Sequence, residues 1–347
     1  TKGFKVDLVI GKKNQSNMLD NLDAKVNLVS LGTSNKILSI LMLALYLRRK
    51  KPDIVISDRY HSFVYAASAK RIIDSKSEIV MTIHSQMSLA FGNGLDRTKQ
   101  QVKKYSEFVR LKKYCSKVIS VSTGTADDFL SIFPEFGDKV SVIYNPVAVD
   151  QIQSLAKQWQ DNLSFLSGRQ HVIISAGRLE PEKGYENLLR AFSQIENCRD
   201  SLLVICGEGR ERKNLEKLAD QLNIQDNVYL PGFVANPYSY LAHADLFVLS
   251  SRSEAFGVVL VEALAVGVPV VSTDCPSYGP REILLNGEIG KLVPVDDAHA
   301  LARAISDSLN DHPGKEVLIN RAMHFSLQKS IDQYIKVLNL DQSPSTS

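Results

Sequence analysis

Residues 246–267 read LFVLSSRSEAFGVVLVEALAVG. Four apolar residues, Leu246 to Leu249, have the length of a strand buried on both faces, and the polar run Ser250 to Ala255 ends it. Gly257 then opens an almost wholly apolar helix that Gly267 closes. A strand, a polar loop and a buried helix in that order form the repeating unit of a parallel α/β sheet. The helix start leaves backbone N–H groups at Phe256, Gly257 and Val258 facing whatever lies beyond the strand ends, so the loop reads as an anion site. Glu262 interrupts the apolar helix; a carboxylate there is costly unless ligand hydroxyls, an Arg or a Lys supply donors. Glu254, eight positions earlier on the loop, is placed to meet a different part of one elongated ligand.

Outward from this stretch the same alternation runs along the chain, twice. Strands are expected at 5–10, 25–28, 53–57, 79–84, 117–122 and 139–143 in the first half. In the second they are expected at 171–176, 201–206, 227–230, 245–249, 268–272 and 291–293, with helices between. The fold class is therefore α/β, and 347 residues fit two domains. The expected boundaries are an N-terminal domain over 1–147, a linker over 148–169 and a C-terminal domain over 170–324. A final helix follows over 325–340, and a disordered tail over 341–347. Pro146 biases Asn145 away from helix, which marks the boundary.

Composition, at 44% hydrophobic and 23% charged, is that of a globular chain. The longest apolar run, Ile37 to Leu47, is about half the ~20 residues that cross a bilayer, so it reads as a core helix. Four cysteines, Cys115, Cys198, Cys206 and Cys275, make no CxxC pair and have no histidine at metal-ligand spacing. With no signal segment at the start of the sequence, the expectation is a reduced, cytoplasmic setting. Net charge is only +3, yet Arg97 to Lys117 carries eight basic residues against one acid, Glu107. Lys36 and Arg48 to Lys51 add to the same half. Peripheral contact with anionic lipid at the inner face of a membrane and a solvated helix without a partner are equally compatible with that pattern. Nucleic acid is not expected as a partner, because no aromatic residues are interleaved for base stacking.

Positive charge to balance a diphosphate stands at the end of the first strand of the second half, in Gly177-Arg178 and Glu182-Lys183-Gly184. Strand C-terminal ends are where open α/β sheets place ligands, so Arg178 and Lys183 can converge with the Glu254 loop. Gly207-Glu208-Gly209 is a tight turn suited to a nucleotide or to an ordinary βα connection. The segment Ser277 to Ile283 follows a strand and is expected to close over a ligand. His84, and with less support His61, stand at strand ends in the first half.

Taken together these residues resemble the family 4 retaining glycosyltransferases of GT-B architecture. The resemblance is carried by Gly177-Arg178, Glu182-Lys183-Gly184, Gly207-Glu208-Gly209, Pro231-Gly232-Phe233, Glu254 with Glu262, Gly267-Val-Pro-Val270, Gly279-Pro-Arg-Glu282 and Gly290-Lys-Leu-Val-Pro294. The first half matches chiefly at Pro52-Asp-Ile-Val55, His84 and Ser120-Val-Ser122. What it implies is two facing Rossmann-like domains with an interdomain cleft, the closing helix over 325–340 returning toward the N-terminal domain. The implied substrates are a nucleotide-diphosphate sugar, UDP being the commonest base, and a saccharide or lipid-linked saccharide acceptor in surface-glycan assembly. The implied catalytic residues are His84, Glu254, Arg178 and Lys183. The implied donor site is Gly177, Arg178, Lys183, Gly207, Glu208, Phe233, Glu254, Ala255, Phe256, Gly257, Val258 and Glu262. No metal or other cofactor is expected, the two cations assisting departure of the diphosphate in place of an Asp-x-Asp metal motif. Retention is compatible with same-face substitution or with a covalent adduct on Glu254.

The chain departs from the family pattern twice. Tyr278 is an extra residue in the usual Pro-Ser-Gly-Pro turn. The family's first strand, Gly-rich loop and first helix have no counterpart, so the first domain is expected to be incomplete, with its neighbouring strands exposed or paired anew. A non-catalytic nucleotide-sugar-binding or scaffold protein of the same fold is the alternative. A nicotinamide dehydrogenase is set aside for want of a strand-bound GxGxxG.

Overall fold

The computed structural model describes residues 3–12, 22–92, 97–158, 166, 168–196 and 198–340. Twelve strands are formed among them: β1 Val6–Ile10, β2 Val26–Ser30, β3 Ile54–Asp58, β4 Glu78–Ile83, β5 Cys115–Ser120, β6 Val140–Val142, β7 Val172–Ala176, β8 Leu202–Cys206, β9 Val228–Gly232, β10 Leu246–Leu249, β11 Val270–Thr273 and β12 Lys291–Val293. The chain divides into two compact units. One holds residues 1–83, 87–119 and 132–141; the other holds 84–86, 120–131 and 142–347.

In the first unit, β1 and β2 pair in parallel as a two-stranded sheet, and β3-β4-β5-β6 form a separate four-stranded one. β1 and β3 are sheet edges, with Val6, Leu8 and Ile56 exposed. The core is aromatic. Phe63, Phe91, Phe108 and Phe133 are fully buried, and the Phe108 and Phe133 rings lie 4.6 Å apart between centroids. Glu107, the one acid of the basic stretch, receives Lys36 Nζ at 2.5 Å and the Tyr60 hydroxyl at 3.1 Å. Burial raises its pKa, but these two hydrogen bonds outweigh that and hold it below the ordinary value.

The helix Lys36–Lys50 differs from the core helix its composition suggests. Asn35 caps it by accepting from the N–H groups of Ile37 and Leu38, and Arg48, Arg49 and Lys50 complement the dipole at its other end. Yet only Ser39, Ala44 and Leu47 are buried, and most of its large apolar residues face solvent.

The second unit holds a six-stranded sheet in the order β12-β11-β10-β7-β8-β9, with every pairing parallel. Successive strand residues enter opposite cores. Ile174, Val204, Phe247 and Leu249 join one layer, while Ile173, Leu203, Leu246 and Val248 join the other. Covering both faces explains why these strands read as continuous apolar runs. The chain starts mid-sheet at β7, moves out to β9, then returns to β10 on the other side of β7, so the strand order reverses between β7 and β10.

The linker expected over 148–169 requires correction. Val149–Ala156 is a helix whose Val149 and Ile152 are buried in the second unit's core. Gln153 Nε2 also donates to the Ala265 carbonyl at 3.0 Å. The boundary at 147 shifts with it, since residues from 142 onward, as well as 84–86 and 120–131, cluster with the second unit. The final helix, Leu327–Val337, is tied to that unit as well. Val147 N donates to Phe325 O at 2.9 Å, and Ser330 Oγ donates to Tyr144 O at 3.2 Å. The tail 341–347 lies outside the described residues.

Candidate functional site

The reversal between β7 and β10 places two loops side by side at the strand C-terminal ends. After β7 the chain turns through Gly177, Arg178 and a 3-10 turn, Pro181–Lys183. After β10 it runs through Ser250 to Phe256. The loops are laced together: Ser250 Oγ donates to Lys183 O at 2.9 Å, and Arg252 N donates to Glu182 O at 2.8 Å. The approach is close enough to require glycine at 184, where φ is +63° and a Cβ would lie 2.1 Å from the Ser250 carbonyl oxygen.

This lacing joins Lys183 to Glu254. The ammonium lies 2.5 Å from Glu254 Oε1, with side chains 19% and 13% exposed, and Ser251 Oγ donates to the same oxygen at 2.8 Å. A cation and an acid read from separate segments therefore form one partly desolvated pair. Arg178 stands on the same loop, but its guanidinium, 73% exposed, donates to Glu182 Oε1 at 3.1 Å. It is an exposed charge paired on its own loop rather than part of the Lys183–Glu254 pair.

Helix Val258–Val266 begins directly behind Glu254, with Gly257 at its cap and φ at +100°, a conformation L side chains rarely adopt. Its first N–H groups have no intrahelical acceptor and point out of the strand ends. Ala255 and Val258 are half-buried. The Phe256 side chain is fully buried and stacks on Tyr144 with centroids 5.6 Å apart, so its backbone alone is available to a ligand.

Glu262 is half-buried, and its donor is neither Arg nor Lys: the Tyr238 hydroxyl bonds Oε1 at 2.9 Å. Burial raises the Glu262 pKa, and the tyrosine bond only partly offsets it. A neutral donor leaves the carboxylate with unused acceptor capacity.

Gly207 and Glu208 follow β8. The Gly207 N–H is bonded to Gly232 O at 2.8 Å, and Glu208 is bonded by the Arg212 guanidinium, which holds its carboxyl below the usual range. Phe233 follows β9 with 83% of its surface exposed, a bare ring at the strand end. His84 follows β4, is exposed, and belongs by its contacts to the second unit. His61 lies in the helix Arg59–Ile73 of the first unit, so the two histidines fall in different units.

The segment Ser277 to Ile283, expected to close over a ligand, has another engagement. Glu282 Oε1 accepts from Thr123 N at 2.8 Å and Thr123 Oγ1 at 2.6 Å, capping the start of helix Thr123–Ile132. Arg281 pairs with Asp274. Tyr278, the extra residue of the turn, has φ at +58°. Sequence reasoning missed Tyr238 and Ser251 as partners of the two glutamates, and also Tyr185, whose hydroxyl fills the space a Cβ on Gly177 would need.

A Rossmann-like parallel sheet with an acid, a cation and a helix start at its switch point is the arrangement in which open α/β sheets hold anionic ligands. Comparison with known proteins narrows this. The model of glycosyl transferases group 1 matches residues 159–325, and that of glycosyltransferase family 4 matches residues 2–151. The chain belongs to the family 4 glycosyltransferases, and its fold is GT-B, built from two Rossmann-like α/β domains.

An uncharacterized glycosyltransferase of Methanocaldococcus jannaschii is 30% identical over 69% of this chain and 59% of its own length. A Campylobacter jejuni N-acetylgalactosamine-N,N'-diacetylbacillosaminyl-diphospho-undecaprenol 4-alpha-N-acetylgalactosaminyltransferase is 32% identical over 59% of this chain and 54% of its own. The chain thus spans a little over half the length of these relatives. Among solved structures, Anabaena HepE in complex with UDP aligns with a TM-score of 0.76 at 21% identity, covering 96% of this chain and 92% of that one. Sucrose-phosphate synthase from Thermosynechococcus elongatus aligns at 0.79 and 19% identity, covering 98% and 89%. Among the described residues no helix is long and apolar enough to cross a membrane.

Proposed function

We propose that the protein transfers a hexose or N-acetylhexosamine from a UDP-sugar to a saccharide or lipid-linked saccharide acceptor, with retention of anomeric configuration and without a metal, in glycan assembly. The observation that carries this reading is the Lys183–Glu254 pair across the switch point, beside the Gly257 helix start. The Campylobacter relative, named for a transfer onto a diphospho-undecaprenol saccharide, supports the acceptor class, and the UDP bound to Anabaena HepE supports the base.

In this reading the donor diphosphate lies against the N–H groups at Gly257 and Val258. Lys183 and a swung-in Arg178 neutralise the charge that grows on the leaving phosphate oxygen as the bond to the sugar's anomeric carbon breaks. The acceptor hydroxyl bonds to that carbon, and its proton passes to the leaving phosphate, so the reaction balances without a cofactor. Glu254, its position fixed by Lys183 and Ser251, accepts from sugar hydroxyls, while Glu262 takes the ribose hydroxyls on the acceptor capacity Tyr238 leaves free. Gly177, Gly207 and Glu208 line the nucleotide side, Phe233 offers its bare ring to the base, and His84 approaches the reacting sugar.

A panel of nucleotide sugars screened by thermal shift tests the donor. Transfer assays on the wild type and Glu254→Gln test the chemistry. Stabilisation by a UDP-sugar with product formation supports the reading; stabilisation by no nucleotide sugar removes it.

A further inference from the structure

The ladder between β10 and β11 ends at the pair Leu249–Ser272, so Thr273, the last residue of β11, stands beside the start of the polar loop that carries Glu254. Its side chain takes over where the ladder stops. Thr273 Oγ1 donates to the Ser251 carbonyl at 2.5 Å, and Cys275 Sγ donates to the same oxygen at 3.1 Å. Ser251, Thr273 and Cys275 are each at most 1% exposed. Burial pushes the Cys275 thiol up to about 11, so near neutral pH it keeps the proton it donates. From the β7 side the loop is held by the bonds of Ser250 and Arg252; from the β11 side it is held at the Ser251 carbonyl.

We propose that Thr273 and Cys275 are positioning residues for sugar transfer: by fixing the Ser251 backbone they aim its hydroxyl, and through it the Glu254 carboxylate, at the donor sugar. The inference rests on the role given to Glu254 above. One donor would spare the buried carbonyl the cost of going unpaired. A second, arriving from another residue, adds direction, because an acceptor held by two groups cannot pivot about either. The bonds from Lys183 and Ser251 both fall on Glu254 Oε1. Among the described residues Oε2 therefore has no protein donor, and it is the oxygen left for a sugar hydroxyl. Thr273 and Cys275 are sealed from solvent, so they act through Ser251 and not on the donor.

Steady-state transfer kinetics with a UDP-sugar, alongside titration calorimetry with UDP alone, test this. Thr273→Val keeps the shape and removes the hydroxyl; kcat falls ~10–100-fold, the scale of a misplaced reacting geometry. The Kd for UDP stays within about threefold of wild type, because UDP lacks the sugar that Glu254 meets. Thr273→Ser restores the donor and brings kcat back to within about threefold. Cys275→Ala loses only a weak donor and lowers kcat by about 2–5-fold.

Coupling separates aiming from mere structural support. In a Glu254→Gln background Thr273→Val lowers kcat by less than about threefold, since the group it aims is already altered. Ser251→Ala, which leaves the backbone bonds in place, gives the same split between kcat and UDP affinity and carries the test if Thr273→Val does not fold. An active wild type that neither Thr273→Val nor Ser251→Ala slows overturns the proposal. So do losses that multiply with Glu254→Gln, or UDP affinity that falls in step with kcat, since both mark a structural role. A wild type that transfers no sugar from any nucleotide sugar removes the reading of Glu254 and this inference with it.

Discussion

Glu254 and Glu262 are two carboxylates eight residues apart whose surroundings push them toward different tasks. Glu254 is held by an ammonium and a hydroxyl, so its position is fixed. Glu254→Gln keeps the Ser251 bond and the shape while removing the charge opposite Lys183. It should lower kcat by ~100-fold or more and cost only about 1 kcal/mol of stability, which steady-state kinetics and denaturant unfolding would separate. Glu262 is desolvated with only a tyrosine to help, and its folded pKa lies above the ordinary 4.5. The sign follows from that shift: its contribution to stability is fully present below about 4.5 and is lost as pH rises through the raised folded value. Glu262→Gln should therefore flatten the fall in Tm over that window. Ribose hydroxyls donating to the ionised form would reverse the penalty, so UDP binding should weaken as pH drops through the same window in the wild type and lose that dependence in the variant. Titration calorimetry across pH reads both effects.

Among the elements, the two loops at the β7–β10 switch carry the tightest backbone tolerance. Gly184→Ala puts a methyl group against the Ser250 carbonyl in a positive-φ conformation. It should cost about 2 kcal/mol and misplace Lys183 against Glu254, lowering stability and kcat/KM together. The strands were legible in the sequence because a sheet covered on both faces leaves unbroken β-branched runs, and Gly257 and Gly267 framed the helix Val258–Val266 unmistakably. The helix Val149–Ala156 was not legible, since only Val149 and Ile152 of its residues are buried. Tyr238 could not be paired with Glu262, because a contact across 24 residues depends on how two helices pack and not on local pattern. Glu282 capping Thr123 across 159 residues is the same case. The exposed arc of Lys36–Lys50 was misread for a related reason: hydrophobicity reports what a side chain prefers, not whether anything covers it.

Across the whole molecule, two cores of different character hold the two units. The aromatic cluster around Phe108 and Phe133 supports the first unit, so Phe108→Ala should destabilise it by about 3–5 kcal/mol and show as an early transition in calorimetry, before the second unit unfolds. The aliphatic layers on both faces of the six-stranded sheet support the second, where the candidate donor site lies entirely within one unit. That confinement lets the proposed donor binding be tested by itself. The most direct test is Tm of the wild type and of Arg178→Gln with Lys183→Gln, each with and without a UDP-sugar at saturating concentration. The wild type should gain about 5–10 °C and the double variant almost nothing. Equal stabilisation of both proteins, or of neither, would contradict a donor diphosphate held by those two cations at the β7–β10 switch.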